Sequence, residues 1–193
     1  MPALALVPSE IIKKWQEIVD LLAEIIHVPS AVVMRVEPTN SEVFVASDCK
    51  PSEAGSLYCE TVMKTCQPLL VPDARRDERW KSSPDIKRGM VSYLGVPISW
   101  PNGKIFGTIC VYDDKSNEYS EAYLKLLLHF RDMLQADLNS LVRLHGEIEE
   151  REAISGVLRA IASSPHDLQP IFDAILDSAT RLCRADVRQD LSS

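Results

Sequence analysis

Hydrophobic positions follow helical spacing near the start of the chain and strand spacing after it. Apolar residues recur every three or four positions over residues 11–25, after Ser9, a residue type that favours helix N-termini. The run stops before Pro29. Two β-rich runs follow over residues 31–36 and 42–46, separated by a Pro-Thr-Asn turn. The pattern predicts an amphipathic helix and then a β-hairpin.

The clearest strand signal lies in residues 93–113. Two apolar runs meet at Trp100-Pro101-Asn102-Gly103, where proline presets a turn and Gly103 supplies a left-handed residue. The second run is apolar at nearly every position, although antiparallel strands commonly have one wet face. We therefore expect both faces of this hairpin to be covered, one by helices and the other by a ligand cavity.

Between these two hairpins the pattern is more broken. Residues 48–56 read as a loop, residues 57–65 as a short helix and residues 69–71 as a brief strand. The polar segment 72–90 predicts an irregular crossing with one helical turn at residues 85–87.

A long helix is predicted from Ser120 onward, because leucines alternate there at spacings of three and four. Its first half, through about Leu134, could lie on the sheet as a core helix. Its second half, from about Leu138, predicts a seam for a parallel dimeric coiled coil; a lone solvent-bridging helix is the alternative. The charged residues 146–152 suggest a flexible joint, with helix resuming over 153–162. The predicted dimer seam consists of Leu134, Leu138, Leu141, His145 and Ile148.

Composition narrows the class of protein. The chain has 193 residues, 46% hydrophobic, and a net charge of -7, which indicates one domain plus an appendage and disfavours nucleic-acid binding. Five cysteines without a C-x-x-C pair favour a reducing, cytoplasmic location, and no histidine lies at metal-ligand spacing from them. No signal peptide or membrane-inserting segment is predicted.

Four ordered motifs carry a family resemblance: LYCETV, LLVPDARRDERW, YLGVPI and NGKIFGTICVYDD. Together they resemble the GAF domains of bacterial sensor histidine kinases and diguanylate cyclases, over residues 8–140. The resemblance implies an α+β fold: a GAF-like antiparallel sheet of about five to six strands, helices packed on one face and a long exit helix. Residues 141–162 would be a signalling helix or linker. Residues 163–193 would be a helical tail or the truncated start of a second GAF-like domain, whose opening helices residues 153–187 resemble.

Domains of this family bind small molecules between the sheet and its covering helices. The resemblance therefore implies a pocket, for an unidentified small molecule; a filled apolar core is the alternative. The Asp73 side chain would either point toward a ligand or, as we favour, form hydrogen bonds with the local backbone after the strand. Residues 47–56 form a shorter segment than is usual in this family at the place that often contributes to the lid of the pocket, so the resemblance implies a reduced cover. The implied ligand-binding residues are Tyr58, Cys59, Trp80, Tyr93, Phe106, Thr108 and Cys110.

The expected function is a sensory and dimerisation module of a bacterial signalling protein, with no catalytic residues of its own and its output domain elsewhere. One alternative is a ligand-free module that only dimerises. Another is an enzyme similar to free-methionine sulfoxide reductases. Cys59 falls at a similar place to a cysteine of that family, but residues 80–90 lack the others. Covalent bilin attachment is disfavoured, because no cysteine is followed by histidine.

Overall fold

A computed structural model describes residues 7–36, 41–47 and 56–163, together with residues 173, 176, 177 and 180. The chain divides into two compact units, Met1–Asn139 and Ser140–Ser193. The turn and loop predicted at residues 38–40 and 48–55, and nearly all of the second-domain start predicted at 163–193, lie outside the described residues.

The first unit contains an antiparallel sheet of five strands in the order β2-β1-β5-β4-β3. This arrangement, with its helices, confirms the predicted α+β fold. The central strand, β5, is flanked by β1 and β4 and is buried at nearly every position. The strands are β1 (Ser30–Val36), β2 (Ser41–Ala46), β3 (Leu69–Val71), β4 (Ser92–Ser99) and β5 (Ile105–Asp113).

Helices cover both faces of the sheet. One face packs against the first and last helices, and the other against the second, so the apolar residues of β5 enter two separate cores. Within the described residues none of the helices is long and apolar enough to cross a membrane. The helices are α1 (Ser9–Ile26), α2 (Leu57–Thr65), α3 (Pro84–Lys87) and α4 (Glu121–Ser163).

Two β-bulges set which face each aromatic residue occupies. Ile98 pairs with Gly107 but Ser99 pairs with Ile105, so Phe106 is an extra residue in β5. In β2, Phe44 is likewise extra. Both rings point toward α1: Phe106 and Phe44 lie 5.6 Å and 5.7 Å from the Trp15 ring. The expectation that Phe106 lies on the same face as Thr108 is therefore wrong.

Gly107, the residue after this bulge, lies where β1 and β5 approach closely. A Cβ atom there would overlap the backbone carbonyl oxygen of Met34 in β1. The absence of a side chain at Gly107 therefore lets the neighbouring strand approach this closely.

The first part of α4 belongs to the domain core. Leu127, Leu134 and Leu138 are fully buried in the cluster shared with α1 and the sheet. Leu134 and Leu138 therefore cannot form the exposed seam predicted for them. The sequence placed them there because heptad spacing gives the same pattern whether the apolar face meets a sheet or a second helix.

The predicted joint at residues 146–152 is also wrong, because α4 is one helix of 43 residues that runs through it. The helix continues through Gly146 although glycine is less favourable than alanine in a helix by about 1 kcal/mol. Two pairs one turn apart span this region: Arg143 with Glu147 at 3.9 Å, and His145 with Glu149 at 3.2 Å.

Candidate functional site

The candidate site lies where α2 crosses the sheet face opposite α1 and α4. Three side chains of α2 are completely buried there: Tyr58, Cys59 and Val62. They meet the side chains of β4 and β5 that alternate away from α1, including Tyr93 and Cys110.

The crossing segment holds the N-terminus of α2. The carboxylate of Asp85, at the start of α3, accepts hydrogen bonds from the Leu57 backbone N–H at 3.0 Å and from the Ser83 hydroxyl at 2.9 Å. Arg88 lies 3.6 Å from its other oxygen. A buried carboxylate at a helix N-terminus is stabilised by the helix dipole. The sequence predicted the helical turn at 85–87 but gave no signal for this long-range cap.

Two thiols and two phenols meet at the centre of the site. The sulfur of Cys59 lies 3.1 Å from the hydroxyl of Tyr112 and 3.6 Å from both the hydroxyl of Tyr93 and the sulfur of Cys110. The Cys110 thiol also contacts the Val32 carbonyl oxygen at 3.6 Å. Tyr112 was missing from the predicted site residues, although the period-two alternation of β5 puts it on the same face as Cys110.

The two cysteines differ in acidity. Burial opposes ionisation of Cys59, but hydrogen bonds from Cys110, Tyr112 and Tyr93 outweigh it and lower the pKa of Cys59 to about 7. For Cys110, burial and the neighbouring Cys59 hold the pKa well above its ordinary value. One thiol therefore forms a thiolate more readily than the other.

Aromatic rings in edge-on and tilted contact form one wall of the site. The Tyr58 ring lies 5.1 Å from the rings of both Tyr93 and Trp80, and Tyr93 lies 5.3 Å from Tyr112. The Tyr58 hydroxyl donates to the Met90 carbonyl oxygen at 3.2 Å. Burial, followed by the negative charge of Asp85, raises the pKa of Tyr58. This wall fixes the face of α2 that meets the sheet.

The structure brings six of the seven predicted pocket residues together; Phe106 is the exception. The exposed fraction is 0% for Tyr58, Cys59, Tyr93, Thr108 and Cys110, so these side chains are closed off from solvent. Two buried polar atoms, Trp80 Nε1 and Thr108 Oγ1, have no hydrogen-bond partner of standard length. A ligand-binding role for these residues stays a prediction.

Asp73 interacts locally rather than with this cluster. Its carboxylate accepts hydrogen bonds from the Arg75 backbone N–H at 3.1 Å and from the Arg75 guanidinium at 2.8 Å. The side-chain bonds from Arg75 lower the pKa of Asp73 to about 2. This confirms the local backbone role favoured from the sequence.

The second unit carries the remaining residues of the predicted dimer seam. Leu141 is partly buried, whereas His145 and Ile148 are exposed. Leu144, which the heptad assignment left out, is 54% exposed beside them. The exposed apolar surface continues along α4 through Ile154 and Leu158. Across the described part of the chain, no group of three or more His, Cys, Asp or Glu side chains is arranged to hold a metal ion.

Comparison with known proteins identifies similar folds. The family model described as "GAF domain" matches residues 10–136. The GAF domain of a Coxiella burnetii phosphoenolpyruvate-protein phosphotransferase is 14% identical, with a TM-score of 0.59, over 73% of this chain and 89% of that one. A search of the curated proteins found no match.

Two further solved structures show the functional range of this fold. A type II free methionine-R-sulfoxide reductase from Thermoplasma acidophilum is 15% identical, with a TM-score of 0.57, over 68% of this chain and 94% of that one. The blue-light absorbing PixJ GAF domain of Thermosynechococcus elongatus is 13% identical, with a TM-score of 0.57, over 74% of this chain and 95% of that one. At these identities the likeness shows a shared fold.

Proposed function

Because this chain belongs to the GAF domain family, we propose that it is the sensory and dimerisation module of a bacterial signalling protein, of the sensor histidine kinase or diguanylate cyclase type. The family commonly binds small ligands and mediates signalling. The output domain would lie outside this chain and receive the signal through α4.

The observation that carries this proposal is the position of α4. The same helix packs Leu134 and Leu138 against the sheet and then continues to Ser163. Its side chain Gln135 accepts a 3.1 Å hydrogen bond from the Ser99 backbone N–H, at the end of β4. A rearrangement of the sheet would therefore move the base of the helix, which is one established way to transmit a conformational signal.

Dimerisation is proposed for the part of α4 beyond Asn139. The partner is a second copy of this chain in parallel orientation, because the apolar stripe then faces itself along the helix. The stripe includes Leu141, Leu144 and Ile148, of which the last two are exposed. Sedimentation analysis of Ile148→Lys tests it. We expect this variant to be monomeric and the wild type dimeric.

A matched control separates the seam from a general effect of added charge. Glu150→Lys places the same side chain two residues away, about 200° around the helix. This control should keep the dimer mass. A monomeric wild type, or an unchanged dimer mass for Ile148→Lys, would reject the proposed interface.

Ligand binding would require α2 to move, because the side chains beneath it are fully buried. A thermal-shift screen with cyclic nucleotides, small acids, haem and bilins tests whether any of them stabilises the native state. A stabilising ligand whose effect is lost in Thr108→Val supports the sensory function. That variant keeps the side-chain shape and removes an oxygen that has no hydrogen-bond partner.

The second candidate is a ligand-free dimerisation module, and the close packing under α2 favours it. Flat thermal shifts across the screen, together with a dimer that Ile148→Lys dissociates, would support this candidate. In either case the signal or the assembly uses the same helix, so the two candidates differ only in whether the sheet face takes a ligand.

We propose that this chain has no enzyme activity of its own. We also propose that it lies in the cytoplasm and does not bind nucleic acid. The free cysteines Cys59, Cys66 and Cys110 support the location, and the net charge of -7 supports the absence of nucleic acid. Free methionine sulfoxide incubated with the protein and a thiol reductant should remain unchanged. Its consumption by the wild type, with loss of activity in Cys59→Ser, would overturn this and favour the reductase alternative.

A further inference from the structure

Cys59 and Cys110 come from distant parts of the chain and face each other at the centre of the site. Cys59 lies on α2 and Cys110 on β5, 51 residues later, with 3.6 Å between their sulfurs. A disulfide requires about 2.05 Å, so the sulfurs would have to approach by about 1.5 Å.

The surroundings give the two thiols different roles. The Tyr112 hydroxyl, 3.1 Å from the Cys59 sulfur, and the Tyr93 hydroxyl, 3.6 Å away, stabilise a thiolate at Cys59. Cys110, whose sulfur also lies 3.6 Å from the Val32 carbonyl oxygen, keeps its proton. Such a pair consists of an attacking thiolate and a second thiol positioned to resolve the product.

Burial decides which oxidants can react. Both cysteines are completely buried, so a reactant must enter during a local opening of α2. The helix has only nine residues, a length at which isolated helices are marginal and depend on tertiary packing. A small uncharged molecule such as hydrogen peroxide passes through such an opening far more readily than a peptide disulfide does.

We propose that Cys59 and Cys110 form a reversible disulfide when hydrogen peroxide oxidises the protein. The Cys59 thiolate attacks one peroxide oxygen, the O–O bond breaks, and the product is a sulfenic acid on Cys59 plus hydroxide, which takes up a proton to become water. The Cys110 sulfur then displaces the hydroxyl group, which leaves with the Cys110 proton as a second water. Two electrons pass from the sulfurs to the peroxide.

The disulfide would change the position of α2. Drawing Cys59 toward β5 displaces α2. The N-terminus of this helix is held by Asp85, and the ring of Tyr58, next to Cys59, contacts the ring of Tyr93. The site is thus a redox-sensitive contact between helix and sheet. Its chemistry does not depend on whether α4 carries a signal onward.

The test uses the full chain with Cys49, Cys66 and Cys183 replaced by serine, so that the pair supplies the only thiols. Cys66 is exposed, and serine preserves its size. After treatment with hydrogen peroxide and denaturation, a maleimide label counts the remaining thiols. We expect both to be lost, a linked peptide containing Cys59 and Cys110 from one chain in mass spectrometry, and recovery of both thiols with dithiothreitol.

Single substitutions in this background assign the roles. Cys110→Ala should give a sulfenic acid on Cys59 that dimedone traps, whereas Cys59→Ala should leave Cys110 reduced. Glutathione disulfide, a larger oxidant, should leave the native pair reduced. Two free thiols after peroxide treatment of the folded triple-serine protein would overturn the proposal. Equally fast oxidation of Cys110 in Cys59→Ala would also overturn it. So would sulfinic acid without a crosslink, or a glutathione adduct on Cys59.

Discussion

The indole Nε1 of Trp15 donates a 2.9 Å hydrogen bond to the Oδ2 atom of Asp137, which joins α1 to α4 on one face of the sheet. The Lys14 ammonium group lies 2.7 Å from the other carboxylate oxygen. Trp15 is completely buried and its ring also meets Phe44 and Phe106. A single carboxylate therefore fixes the relative positions of two helices over a shared core.

The first prediction concerns this carboxylate. Asp137→Ala leaves the buried indole N–H without its partner, so the free energy of unfolding should fall by about 1–3 kcal/mol. Urea denaturation measures the change. Asp132→Ala is the control, because that carboxylate is exposed and pairs with its neighbour Arg131 on the same helix. The control should change stability by less than about 0.5 kcal/mol, and an equal loss in both variants would contradict the prediction.

The second prediction distinguishes the core part of α4 from its exposed part. Leu138→Ala creates a cavity in the core and should lower the free energy of unfolding by about 2–5 kcal/mol. Leu144 is 54% exposed, so Leu144→Ala should leave domain stability within about 0.5 kcal/mol. Both are measured by urea denaturation at a concentration where dimer formation is negligible. Similar losses for both leucines would be inconsistent with the burial of Leu138.

The third prediction compares two glycines. Gly107→Ala places a Cβ against the Met34 carbonyl oxygen, so it should separate β1 from β5 and strongly destabilise the domain. Gly146→Ala meets open space in the middle of α4 and should stabilise the helix by up to about 1 kcal/mol. Circular dichroism during thermal unfolding measures both effects. A destabilising Gly146→Ala would indicate that the helix breaks there.

The fourth prediction concerns alkaline pH. Burial, and then the neighbouring cysteines, raise the pKa values of Tyr93 and Tyr112 well above their ordinary value. The unfolded chain releases these protons near pH ~10, whereas the folded chain retains them to higher pH. The unfolded state therefore binds fewer protons, and the free energy of unfolding should fall as the pH rises above about 10.

Tyr112→Phe removes one of these titrating groups. The slope of the free energy of unfolding against pH, above pH ~10, should become shallower by up to about 1.4 kcal/mol per pH unit. Urea denaturation at several alkaline pH values provides the measurement. Tyr123→Phe, on α4 and only partly buried, controls for loss of a phenol. An unchanged slope in Tyr112→Phe would show that its proton is not held by the fold.

Local structure was predictable from local sequence. The helix at Leu57–Thr65 and the strand at Leu69–Val71 have the bounds expected from residue type and spacing. Gly103 has the left-handed φ of 80° that the turn requires, and its N–H donates to the Trp100 carbonyl oxygen at 2.9 Å. Each of these features depends on neighbours a few residues away, so spacing and residue type were enough.

The face occupied by an aromatic residue was not predictable in the same way. Strict alternation along β5 puts Phe106 with Thr108 and Cys110, but a single extra residue at the bulge turns its ring to the α1 side. Nothing near Phe106 in the sequence signals the bulge. It is fixed by pairing with β4 and by the close approach of β1 at Gly107.

By itself, the sequence determined the order of the elements, the family resemblance and the burial of β5 on both faces. Tertiary structure alone decided what covers each face: it buried Leu134 and Leu138 under the sheet and placed Cys59 against Cys110. The reason is physical. Periodicity states which side chains share a surface, whereas the partner of that surface is set by strand register and by contacts between residues far apart in the chain.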